Sequence, residues 1–190
     1  MIYNGTMKGK YVILRSVLPK DTETTLNMRL DPEKTKYLHP VENSLDKQKR
    51  WIMEQNNRKG DYFFIAHNYS EHPIGTFSIY DIKGCEGHSG RLISFGNALQ
   101  SFEMNILIFR FAFEYLNLRK INGDVTNENG QAIKLDVLFG FTFEEAVKDT
   151  DFDRMVRYCQ LKKESFYNNL DKLYKMVYRG RSIPIMPWEQ

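Results

Sequence analysis

Imidazole is the side chain whose ordinary pKa lies nearest neutrality, and this chain carries four, His39, His67, His72 and His88. A group that takes or gives a proton near pH 7 is sought among these, or among carboxylates raised by their environment. His67 and His72 flank the turn-prone stretch NYSEH and receive no role. His88 opens HSGRLISF at what reads as the end of a strand, with Arg91 three residues on. His39 sits in YLHP beside Tyr37, whose ring suits stacking on a sugar or base. Asp81 closes SIYDI, and Tyr158 lies within RMVRYCQL. The two cysteines, Cys85 and Cys159, form neither a disulfide framework nor a zinc spacing, and no carboxylate–histidine pattern of the metal type occurs, so no metal is expected. One more segment stands out: TNENGQAIKLDVLFGF, Thr126–Phe141, a polar turn with two asparagines leading into a short helix that stops at Gly-Phe.

The elements that must position these residues are read from periodicity. KYVILRSV (10–17) predicts a first strand. Pro19 opens a helix toward Leu30 and Asp31-Pro32 ends it. Ser44 is a natural N-cap for a second helix that carries Trp51 and Ile52 and stops before Gly60. From Asp61 the period becomes two: strands over 62–67, 73–82 and 88–95 predict an antiparallel meander. A long apolar helix follows over 101–117, then a strand over 119–126 and the helix of the quoted segment. Strands over 141–147 and 154–161, separated by the acidic turn KDTDFD, complete the sheet, and apolar residues at helical spacing predict an added helix over 162–178. The pattern gives an α+β fold of one main domain, residues 1–162, with residues 163–190 as a C-terminal helix and tail packed on it.

Composition agrees. With 190 residues, 42% hydrophobic and 14% aromatic, the chain can bury a core as one domain. A net charge of +3 is too mild for a nucleic-acid partner and suits a small anionic ligand. The most apolar run, MNILIFRFAFEYLNL, is short and interrupted by Arg110 and Glu114, so no membrane span is expected, and unpaired thiols point to a cytoplasmic setting.

Element order and motifs together resemble the GNAT superfamily of acyl-CoA-dependent N-acetyltransferases, in the branch of ribosomal-protein alanine and sugar-nucleotide amine acetyltransferases. Asn129-Gly130-Gln131-Ala132-Ile133 followed by Gly140-Phe141 matches that family's Asn-x-x-(Ala/Ser)-Ile and Gly-Phe at the right spacing. AFEYLNLRKINGDV (112–125) resembles its helix-to-strand passage, and Trp51 and Ile74-Gly75 sit where the branch has a tryptophan and an "iG" strand. The resemblance spans about residues 10–162. It implies a GNAT-like three-layer fold with a mixed, mostly antiparallel sheet flanked by helices, and acetyl-CoA as co-substrate.

In that fold two central strands part, and the pantetheine arm pairs with an exposed strand edge as an added strand would. The resemblance places Leu92, Ile93 and Ser94 on that edge and Asn129 against the arm. It gives the pyrophosphate to the start of the long helix, at the amides of Gln100, Ser101 and Phe102, with Lys134 as a nearby point charge. The usual (Gln/Arg)-x-x-Gly-x-(Gly/Ala) loop is reduced here to Gly96-Asn97-Ala98-Leu99-Gln100-Ser101, in which Gly96, Ala98 and Ser101 echo the pattern. Where many relatives carry a tyrosine that protonates the departing thiolate, seven residues after the motif asparagine, this chain has Asp136; Tyr158 is the alternative acid.

Acetyl transfer needs a neutral amine. The sugar-amine branch often has Glu-x-Gly-Arg before the phosphate loop, and His88-Ser89-Gly90-Arg91 puts His88 at that carboxylate's place as general base. Asp81 is expected to receive the ammonium or orient the base, and Tyr37, His39 and Arg91 to line the acceptor pocket. The expected activity is transfer of an acetyl group to a primary amine, of a nucleotide-linked amino sugar first and a protein N-terminus second, by a monomer or homodimer. The competing reading is a non-catalytic binding protein of this fold with a degraded phosphate loop, or one whose cleft holds another acyl or nucleotide ligand.

Overall fold

The computed structural model describes residues 1–149 and 153–189. Among these, nine strands form one sheet, β1 (Thr6–Lys8), β2 (Ile13–Ser16), β3 (Tyr62–His67), β4 (Pro73–Lys83), β5 (Glu86–Ser94), β6 (Lys120–Thr126), β7 (Thr142–Phe143), β8 (Val147–Asp149) and β9 (Arg154–Lys162). Their order is β1-β2-β3-β4-β5-β6-β9-β7, with β8 also paired to β9. Every pairing is antiparallel except β5 with β6. The helices are α1 (Thr22–Leu30), the single turn α2 (Pro32–Thr35), α3 (Leu45–Asn57), α4 (Ala98–Arg110), α5 (Gly130–Phe139) and α6 (Lys163–Tyr178). The fold is the expected α+β sheet flanked by helices with an added C-terminal helix.

Central β3 shows why both faces are covered. Alternate side chains leave a strand on opposite sides; Phe63 and Ile65 join Val17 and Ile52 beneath α1 and α3, whereas Tyr62, Phe64 and Ala66 join the larger core beneath α4 and α6. Helix α4 is apolar nearly all round, with Met104, Ile106, Leu107, Ile108 and Phe109 buried, as suits a helix packed between a sheet and another helix. Its two charges inside that environment are satisfied. Glu103, fully buried, accepts the backbone N–H groups of Lys10 (2.7 Å), Tyr11 (2.6 Å) and Val12 (2.9 Å), fixing the β1–β2 turn. Arg110 forks onto Glu114 at 2.8 and 3.0 Å.

Several boundaries differ from those read off the sequence. The first strand is shorter and gains an edge partner, β1, too brief to show a period. The long helix starts three residues early, at Ala98, behind the N-cap Asn97, whose side chain and that of Gln100 cap one another's backbone N–H, and it closes through a π-helical turn, Phe111–Tyr115. The strand expected over 141–147 is two short pieces, β7 and β8; part of the acidic turn after it lies outside the described residues. Ser44 caps α3 as expected, accepting from Lys47 N–H at 3.3 Å. Helix α6 buries Phe166, Leu170, Leu173 and Val177 in the core below α4.

Candidate active site between two parted strands

β5 and β6 pair over three residues only, Glu86 with Lys120, Gly87 with Ile121 and His88 with Asn122. Beyond that β5 runs on to Ser94 and β6 to Thr126 without meeting. A bulge accounts for the parting. The β4–β5 register slips between Thr76 and Ser78, and Arg91 takes a left-handed φ of 54°, so β5 bends away from its parallel neighbour. The gap opens a cavity of about 510 Å³, within the size range of small-molecule sites. Its walls come from both faces of the sheet: Trp51 and Phe63 from the α3 side, Phe77, Phe109 and Phe141 from the α4 side. Side chains from opposite faces can share a cavity only where the sheet is open.

On the α3 side, His88 and Asp124 face each other across the gap, Nε2 to Oδ1 at 3.1 Å. The hydrogen bond from His88 holds the Asp124 carboxyl below its ordinary value, which outweighs the opposing effect of burial. Tyr80 lies against the His88 ring at 5.0 Å, and burial followed by the nearby Asp124 charge pushes its phenol up to about 12. Arg91 lines the cavity as expected, but its charge is committed: it forks onto the buried Asp61 at 2.6 and 3.1 Å and stacks between Tyr80 (4.4 Å) and Trp51 (5.1 Å). Tyr37 and His39 also line the cavity, on a loop tied across the opening by Tyr37 Oη donating to Glu128 O (3.1 Å) and by Arg154 donating to Tyr37 O (2.8 Å). Arg29 was not foreseen. It lines the same wall and donates to His39 O, and among the described residues it has no carboxylate partner; burial, then the charge of Arg91, lower its pKa.

On the α4 side the quoted Asn-to-Phe segment supplies the wall. Asn129 caps α5 by accepting Ala132 N–H at 3.2 Å, which leaves its amide nitrogen as the group available to a ligand. Gly140, at φ 99°, and Phe141 donate back to Val137 O (3.1 Å) and Asp136 O (3.0 Å) in a Schellman cap, so the chain turns and Phe141 enters the core. Two turns of helix separate Asn129 from Asp136, and both line the cavity. Burial alone pushes the Asp136 carboxyl up to about 7, and its side chain has no partner among the described residues. Cys159 beside it is pushed up to about 12, by burial first and then by the Asp136 charge. Leu92 lines this side from β5.

Other expected residues are placed elsewhere. The amides of Gln100 and Ser101 are already engaged, by Asn97 Oδ1 (3.0 Å) and Asn97 O (2.9 Å), and Phe102, inside the helix, packs its ring on Phe139 at 6.1 Å. With the helix beginning at Ala98, the first-turn amides without an intrahelical acceptor are those of Ala98 and Leu99 instead. Ile93 is buried against β4, and Ser94 Oγ bonds Ser101 Oγ at 2.6 Å, leaving only their backbone toward the gap. Lys134 is exposed and outside the cavity lining. Asp81 occupies a left-handed bulge position, φ 50°, and the carboxylate that meets His88 is Asp124. Tyr158, opposite Asp124 on β9, is half exposed and not part of the lining. Asp124 carried no signal of its own, because its meeting with His88 depends on which strands are neighbours.

The family description "Acetyltransferase (GNAT) domain" matches residues 12–142, more than half of the chain. The chain belongs to the GNAT acetyltransferases. A curated relative, an SPbeta prophage-derived uncharacterized N-acetyltransferase, YokL, of Bacillus subtilis (strain 168), is 25% identical over 162 residues, covering 79% of this chain and 86% of that one. Among solved structures, the apo form of FdhC, a nucleotide-linked sugar GNAT, aligns with a TM-score of 0.74 at 20% identity over 93% of this chain and 98% of that one. The spermidine N-acetyltransferase of Vibrio cholerae in complex with CoA and spermine aligns with a TM-score of 0.75 at 18% identity over 83% and 99%. The GNAT family uses acetyl-CoA as its acyl donor, and the Vibrio cholerae structure holds CoA. Among the described residues, no helix is long and apolar enough to cross a membrane.

Proposed function

We propose that this GNAT acetyltransferase acylates the primary amine of a small acceptor that also carries negative charge, a nucleotide-linked amino sugar being the class that fits best. The observation that carries this reading is the cavity passing through the sheet where β5 and β6 part, with a hydrogen-bonded Asp124–His88 pair on one face and an apolar wall ending at Asn129 and Asp136 on the other. The residues fit the donor: the free edge of β5 at Leu92–Ser94 offers backbone groups to the pantetheine amides, and the first-turn amides of α4 lie just beyond that edge for the pyrophosphate. Bound there, acetyl-CoA supplies the activated acyl group. The acceptor enters from the α3 side. His88, oriented by Asp124, takes the proton from the amine, directly or through one water. Tyr37, Trp51 and Tyr80 form aromatic walls for a sugar or base, and Arg29, which has no carboxylate partner among the described residues, pairs with the anionic portion.

That last point favours an anionic acceptor over a polyamine, whose charges Arg29 would repel. A thiol-release assay over amino-sugar nucleotides, polyamines and peptide N-termini tests it. Acetyl-CoA at 100 times its dissociation constant should stabilise the fold by about 2.7 kcal/mol. Arg29→Met should raise KM for the anionic acceptor about tenfold with kcat held, as expected for a charge-assisted contact made equally in ground and transition states. Preference for spermidine, or an unchanged KM, would defeat the assignment.

A further inference from the structure

We propose that the site prefers a four-carbon acyl group to acetyl, because Gly123 leaves open the apolar end of the gap where the acyl tail lies. This rests on the site reading above, in which the pantetheine arm pairs with β5 at Leu92–Ser94 and runs toward the closed end of the gap. That end is the last β5–β6 pair, His88 with Asn122, and the next residues in line are Ser89 and Gly123. From Leu92 to Ser89 is three residues, about 10 Å of strand. The two methylenes between the arm's last amide and its sulfur use a little over one residue's rise, and an acetyl group uses less than another. About one residue's rise stays empty beyond an acetyl methyl, room for two more carbons.

No side chain from β6 fills that space. Gly123 is buried, and a Cβ placed on it would stand 3.1 Å from Cys159 Sγ, 3.6 Å from Ser89 Oγ and 4.0 Å from Phe141 Cε1. All three of those residues line the cavity, so any side chain at position 123 would bridge the gap from β6 to β5. The backbone there gives no reason for glycine, since Gly123 is not among the positive-φ residues. Glycine inside a strand weakens it and marks places where something approaches closely. The remaining walls are apolar: Phe109 and Phe141 pack edge to face at 5.6 Å, and Leu135 faces the cavity from α5. Burial keeps the Cys159 thiol uncharged, pushing it up to about 12, and raises the Asp136 carboxyl on the same wall toward its neutral form. Each methylene buried in such a pocket is worth about fourfold in binding.

The bond chemistry is the same for every acyl length. The amine nitrogen bonds the thioester carbon, and the carbon–sulfur bond breaks with its electron pair going to sulfur. The amine proton passes to His88 and then to solvent, and sulfur takes a proton from solvent to leave as the thiol. Thiol release is measured with acetyl-, propionyl-, butyryl- and hexanoyl-CoA over the amine panel, alongside calorimetric affinities for the four donors. From acetyl- to butyryl-CoA, kcat/KM should rise about tenfold, with affinity rising about fourfold per methylene, and both should fall again at hexanoyl-CoA. Gly123→Ala should lower the butyryl-to-acetyl ratio of kcat/KM about tenfold, the size of discrimination a single methylene commands in an apolar pocket. Leu135→Phe, filling the pocket from the facing wall, should shift the ratio the same way. A ratio unchanged in both variants would remove Gly123 from the selection of the donor. A wild-type protein that uses acetyl-CoA better than butyryl-CoA would overturn the proposal alone, whether or not the variants fold. A wild-type protein that acylates no amine with any donor would overturn the site reading and this proposal together.

Discussion

Replacing Asp136 by asparagine should make the fold more stable in a way that grows with pH, and the size follows from where the carboxyl sits. Burial raises it from 3.8 to about 7, and it has no side-chain partner among the described residues. In the unfolded chain the group ionises near its ordinary value, so between those two points the native state holds a proton that the unfolded state has lost. Stability is therefore greatest below the unfolded value, falls as pH rises toward about 7, and is level above it. At about 1.4 kcal/mol per pH unit, the whole interval amounts to about 4 kcal/mol, an upper figure because water entering the cavity eases the desolvation. Asparagine cannot ionise and has no such slope. Urea unfolding from about pH 5 to about pH 8 should show the variant gaining about 3 kcal/mol on the wild type across that range, with equal m-values. Parallel pH profiles would show that the carboxyl ionises as freely in the native protein as in the unfolded one, and the argument from desolvation would fail.

Two further outcomes are expected. His88→Ala and Asp124→Asn should each lower kcat/KM about 100-fold, and the double variant should be little worse than His88→Ala because the two act as one unit; steady-state thiol release across pH checks this, and full turnover by His88→Ala would remove the base. Glu103→Gln should cost about 2 kcal/mol, since a neutral amide oxygen replaces a carboxylate holding three backbone N–H groups, and calorimetry should record a melting point lowered by roughly 4 to 8 °C.

Much of the architecture was legible in the residues because it rests on local rules. The switch from helical to alternating spacing at Asp61 marked the meander, Ser44 announced the start of α3, and Gly140-Phe141 announced the end of α5; each needs only the chain within a few positions to act. Part of the site's wall was legible where a motif carried it: Asn129, Arg91, Tyr37 and His39 line the cavity, and His88, outside the lining, bonds Asp124, which is part of it. It was misread where a cap or a pairing decided the matter. Asn97 captures the amide of Gln100, moving the helix start and its free amides toward Ala98, and Arg91 is drawn onto Asp61, thirty positions away, so its charge is neutralised.

The sequence by itself determined the element order, the helix caps and the asparagine-to-phenylalanine segment, all set by interactions between residues close along the chain. Only the tertiary structure decided that β5 and β6 part after three pairs, that Asp124 rather than Asp81 meets His88, and that Asp136 stands half-buried in the α4-side wall with no side-chain partner among the described residues. Those are consequences of which strands become neighbours and of how much water the packed faces exclude, and neither quantity exists until the sheet has assembled.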